Sequence, residues 1–144
     1  MGGEPWKVVS PWRTDIATVL KGTRRRVFRE GAYRRLSGRS FDSLAALDAP
    51  LSDADLESGD FDQGTASILD IRAVGAKRAL GCTAPLSPTA VKKVFGTEKP
   101  GVADLTDVRE SKIYERLTRG DSYYVVLYTK GKRSHVVFYG YSWD

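Results

Sequence analysis

Tyr123-Tyr124-Val125-Val126-Leu127-Tyr128, followed by Thr129-Lys130-Gly131-Lys132 and then His135-Val136-Val137-Phe138-Tyr139-Gly140-Tyr141, is the stretch of this 144-residue chain that decides its fold. Both arms are dense in β-branched and aromatic residues, the side chains that fit a pleated, buried surface, and they read as a β-hairpin from Tyr123 to Tyr141. Lys130-Gly131 marks a two-residue turn, with Gly131 able to supply the positive φ that such turns demand. A turn there sets Tyr128 opposite Arg133, Val126 opposite His135 and Tyr124 opposite Val137. On that register Val125 and Leu127 share an apolar face with Val136 and Phe138, expected to be core with Ile68 or Leu69. The other face mixes the rings of Tyr124, Tyr128 and Tyr139 with Arg133 and His135, a combination that suits a binding surface.

Working outward, Thr65 to Val74 holds Ile68, Leu69, Ile71 and Val74 between two glycines and predicts a third strand near Ile68 to Val74. Ser87-Pro88 reads as an N-cap followed by proline in the first helical turn, opening a short helix through Val91, Val94 and Phe95 that Gly96 stops. Val102 to Leu117 suggests two short helices or one interrupted one. Further back, Trp12, Ile16, Val19, Leu20, Thr23 and Val27 recur at helical steps, which predicts a helix over residues 11–30 with Ser10-Pro11 at its start and Gly31 at its end. Residues 1–9 are expected to form an irregular arm. The fold class is therefore α+β: a small antiparallel sheet of about three strands packed with an N-terminal helix and short central helices. The length suits one domain spanning residues 1–144.

Charge is unevenly laid out. Residues 1–40 carry ten Lys/Arg against Glu4, Asp15 and Glu30, whereas residues 41–64, read as an acidic loop with a short helix, carry seven acids and no base. The acidic stretch is expected to lie against the basic helix and neutralise part of it. The basic residues Arg24, Arg25, Arg26 and Arg29, continued by Arg34 and Arg35, are the candidate contacts for nucleic-acid phosphates, with Phe28 or Tyr33 to stack on bases.

Several chemistries are excluded by composition. One cysteine, Cys82, permits neither an internal disulfide nor a thiol-rich zinc site, and with no charged-then-apolar leader the chain reads as cytoplasmic. One histidine cannot make a two-histidine ribonuclease site. Asp53, Asp55, Glu57, Asp60 and Asp62 lack the glycine and glutamate spacing of a calcium loop, so no metal is assigned, and no cofactor motif is present. No apolar run approaches ~18 residues, so no membrane span is expected.

The remaining functional expectations are three. The first is a small binding protein that neutralises or regulates another protein, acidic partners among the candidates, through Tyr124, Tyr128, Arg133, His135 and Tyr139. The second is nucleic-acid binding through the basic helix. The third is a small hydrolase or transferase with His135 as general base. Enzymatic activity is the least supported of these, because no nucleophile or carboxylate motif accompanies His135.

Overall fold

The computed structural model describes residues 4–31, 33, 43–48 and 65–142. In chain order they form β1 (Pro5–Pro11), α1 (Ile16–Glu30), α2 (Leu44–Asp48), a 3-10 turn (Ile68–Asp70), β2 (Ala73–Val74), β3 (Cys82–Pro85), α3 (Pro88–Phe95), a second 3-10 turn (Val102–Asp104), α4 (Asp107–Tyr114), β4 (Ser122–Thr129) and β5 (Lys132–Tyr141). The class is α+β, as the sequence implies. The sheet, however, has five strands in the order β1-β5-β4-β3-β2 and is mixed: β1, β5 and β4 run antiparallel, while β3 and β2 are parallel to β4.

The hairpin forms around the expected turn, with Lys130 at φ 52 and Gly131 at φ 76, the two positive values of a type I′ connection. Its register departs from the simple one. Thr129 pairs with Lys132 and Tyr128 with Arg133, but Leu127 pairs with His135, because a bulge leaves Ser134 without a partner of its own on β4. From there on every residue of β5 is shifted by one, and a one-residue slip exchanges faces. The expected single core face is thus divided. Val125 and Leu127 pack with Val137 and Tyr139 beneath α3 and α4. Val136 and Phe138 pack with Trp6, Ile68 and Leu69 beneath α1.

Three elements differ from the sequence reading. The arm expected at residues 1–9 is strand β1 over Pro5–Pro11, and the helix expected from Pro11 starts at Ile16, where the Asp15 carboxylate accepts the Thr18 amide at 2.8 Å. The predicted strand Ile68–Val74 is a 3-10 turn whose cap, Ser67 Oγ, accepts the Leu69 amide, followed by only two residues of strand. Ile68, Leu69 and Ile71 are all buried, so the burial is not the alternation of a strand with one solvated face. The strand that flanks β4 is instead Cys82–Pro85, whose small side chains gave no strand signal. Gly31 and Gly96 end α1 and α3 as expected, and Ser87 caps α3.

Side-chain contacts fasten β1 in addition to its ladder with β5. Ser10 Oγ and Thr23 Oγ1 lie 2.5 Å apart and buried, joining the strand to α1. Trp6, 9% exposed, lies across Gly140 on β5, where a Cβ would fall 2.1 Å from the indole. The hydrogen bonds Trp12 N–H to Ser134 O and Ser142 N–H to Glu4 O fix which residues of β1 bond to β5. By the alternation of an antiparallel ladder, Pro5, Lys7, Val9 and Pro11 turn their backbone groups to the open side. Two of these four have no N–H to offer, and the Val9 carbonyl accepts from Arg26 Nη2 at 3.2 Å.

The indole contact yields a test. Gly140→Ala forces the ring off its seat, and overpacking of this kind costs about 3 kcal/mol. Urea denaturation should show that loss, and Trp6→Leu in the same background should recover part of it. Equal costs in the presence and absence of the indole would mean that Gly140 is required for another reason.

Candidate functional site

The bulge at Ser134 determines which of the sequence-selected side chains meet. Tyr124, Val126 and Tyr128 alternate onto the α1 side of β4, and Arg133, the register partner of Tyr128, joins them. His135 pairs with Leu127 and Tyr139 with Tyr123, which turns both to the α3–α4 side. The five residues therefore divide three and two.

On the α1 side, the end of the sheet nearest the turn is partly uncovered. Tyr124, Val126 and Tyr128 are each half-buried. The Tyr124 ring tilts against Phe138 at 6.3 Å, and burial pushes its hydroxyl pKa up. Two cations lie over rings here. Arg133 Cζ sits 5.0 Å from the centre of the Trp12 ring, and Lys99 Nζ sits 5.6 Å from that of Tyr128. The backbone holds both pairs in place: the Trp12 amide donates to Ser134 O at 3.0 Å, and the Tyr128 amide donates to Pro100 O at 2.9 Å. Arg13, Lys130 and Lys132 are exposed around the same end, and no ion pair engages any of these five cations among the described residues. Trp12 and Lys99 were not selected from the sequence; only the pairing of β1 with β5 and the loop after α3 bring them here.

His135 is half-buried, with Nδ1 3.0 Å from Ser134 Oγ and no carboxylate paired to it among the described residues. A general base needs an orienting group and a reachable substrate proton; Ser134 Oγ is within reach for the first, and the strand partners Leu127 and Pro11 add no polar side chain. Tyr139 is fully buried. Its hydroxyl donates to Glu110 Oε2 at 2.7 Å, and Glu110 Oε1 accepts Lys7 Nζ at 3.1 Å. The Tyr114 ring stands edge-on to those of Tyr139 and Tyr141, and its hydroxyl donates to Trp6 O at 3.0 Å. Burial, then the neighbouring Glu110 carboxylate, pushes the pKa of both Tyr139 and Tyr114 well above the ordinary phenol value. This closed network ties α4 to β5 and β1. Glu110 escaped the sequence reading because it lies in a polar run, although its place three residues before Ile113 puts it on the buried face of α4.

The basic helix also divides. Arg24 is buried, with its Nη atoms donating to the Asp48 carboxylate at 2.8 and 2.6 Å and to Leu69 O at 3.0 Å, while Arg72 Nε approaches the same carboxylate at 3.4 Å. Arg26 is spent on Val9 O and Ser10 Oγ. Lys21, Arg25 and Arg29 remain exposed at four-residue steps along one ridge of α1. Arg34 and Arg35 lie outside the described residues, as do Asp53 to Asp62; among the described residues, Asp48 of the acidic stretch meets the helix. Cys82 is half-buried in β3, and among the described residues no three His, Cys, Asp or Glu come together to hold a metal ion. No helix among the described residues is long and apolar enough to cross a membrane.

No protein-family model, no curated protein and no solved structure matches this chain.

The buried phenol makes stability depend on alkaline pH. The folded pKa of Tyr139 lies above the unfolded value of about 10, so its contribution is complete below pH ~10 and is lost as pH rises beyond it, when only the unfolded chain ionises. Tyr139→Phe should cost about 1–3 kcal/mol at neutral pH by leaving Glu110 Oε2 without its donor, and should flatten the alkaline decline. Melting curves from pH 7 to about 11 check both effects; an unchanged alkaline slope would contradict the assignment.

Proposed function

We propose that this protein is a binding module that engages a partner protein, in the manner of a regulator or neutraliser, through the uncovered end of its sheet. The observation that carries the reading is the pair of cation-on-ring contacts, Arg133 on Trp12 and Lys99 on Tyr128, next to the half-exposed Tyr124 and Val126. Aromatic and arginine side chains are the types that dominate interface energetics, because they offer large contact area with directed hydrogen bonding. Stacking restrains these side chains before any partner arrives, and restraint in the free state lowers the entropy cost of association.

The test is the double substitution Tyr128→Ala with Arg133→Ala. Both side chains lie outside the two packed cores, so the melting midpoint should stay within about 1–2 °C while the partner retained by the wild type on affinity capture is lost. Full retention of that partner by a folded double variant would remove the proposal.

A second reading is favoured by the free ridge of Lys21, Arg25 and Arg29. Three cations on successive turns suit a phosphate backbone, and binding there would be sequence-tolerant and strongly weakened by salt. Replacing all three with alanine separates the readings, since it should abolish nucleic-acid binding and leave protein capture intact.

A further inference from the structure

We infer that the partner presents an acidic segment, Asp/Glu-rich with interleaved apolar residues, whose carboxylates are held by Arg133 and Lys99 while its apolar side chains lie on Tyr124 and Val126. The inference rests on the reading of this end of the sheet as a contact surface, and it specifies what that surface recognises.

Arg13, Lys99, Lys130, Lys132 and Arg133 are exposed and without ion pairs among the described residues. The acids closest in sequence offset them only in part: Asp104 is paired with Arg109, which leaves the exposed Asp15 near Arg13 and Glu98 beside Lys99 against five cations. A patch of one sign draws an oppositely charged partner and speeds its arrival.

The geometry of the stacks then chooses among anions. Arg133 meets the indole with its Cζ 5.0 Å from the ring centre and has no ion pair among the described residues, so its N–H groups can still donate a two-pronged bond to a carboxylate. Phosphate would accept the same fork, but single-stranded nucleic acid also needs open ring faces on which bases stack. At the two rings nearest the cations one face each is already engaged. Trp12 packs on one side into the α1 core and carries Arg133, and Tyr128 carries Lys99. Beside the cations, Val126 and Tyr124, whose ring leans on Phe138, form a half-buried apolar strip, a fitting seat for aliphatic side chains.

The experiment uses the full chain and labelled probes read by fluorescence anisotropy: a peptide of repeating Glu-Glu-Leu, its Lys-Lys-Leu counterpart and an oligothymidylate of similar length. The acidic peptide should bind, with affinity falling as salt is raised, and the basic one should not. Lys99→Ala with Arg133→Ala should weaken the acidic peptide about tenfold, while alanines at Lys21, Arg25 and Arg29 leave it unchanged. Trp12→Leu keeps the net charge but removes the support of Arg133, and should weaken binding several-fold; Arg133→Lys, which leaves the core untouched, should do the same. Equal affinity for both peptides would overturn the inference. Tighter binding of oligothymidylate that is lost in the Lys99/Arg133 variant would also overturn it while leaving the contact surface standing. Indifference of every probe to that variant would remove the surface itself.

Discussion

The structure depends on one constraint: the middle of β5 has no side that water can reach. Val136, Val137, Phe138 and Tyr139 are each 0% exposed, with successive side chains on opposite faces of the sheet. Burying an aliphatic or aromatic side chain of this size contributes about 1.5–3 kcal/mol, so neither face can be left open. The chain meets the requirement by covering one face with α1 and the Ile68–Asp70 turn and the other with α3 and α4. β5 must also be flanked by strands on both edges, and β1, brought back from the start of the chain and locked by Trp6 over Gly140, occupies the edge that β4 does not.

What the sequence revealed follows from the range of the forces involved. The Lys130-Gly131 turn, the Ser87-Pro88 start of α3 and the glycine stops are fixed by residues within one turn of each other, and they stand as read. β1 and β3 owe their strand character to partners far along the chain. Cys82 to Pro85 has neither alternation nor bulk, and it becomes a strand because β4 offers it a parallel edge. At the start, the helical spacing of Trp12 and Ile16 masks the boundary that Asp15 sets by capping. The bulge at Ser134 has no local mark, yet it reassigns every residue beyond it to the opposite face.

The same physics explains how much of the candidate site could be read. Tyr124, Tyr128 and Arg133 were recognisable as amphipathic residues on a strand, and they remain together; His135 and Tyr139 were separated from them by the slip. Trp12 and Lys99 are contributed by tertiary contacts alone. Arg24 and Arg25 illustrate the limit of reading charge by type: one helical step of about 100° takes the first into a buried pair with Asp48 and leaves the second in water.

The two edges of the sheet carry a further consequence. β2 is two residues long, and β1 is bracketed by prolines and has the Val9 carbonyl already occupied by Arg26. A hairpin as rich in valine and tyrosine as β4–β5 is the kind of sequence that recruits copies of itself into growing stacks when its edges are bare. Among the described residues, a copy docking edge-on would meet a broken line of donors and acceptors: two residues of β2 on one rim, and on the other two prolines without N–H groups and a carbonyl already in use.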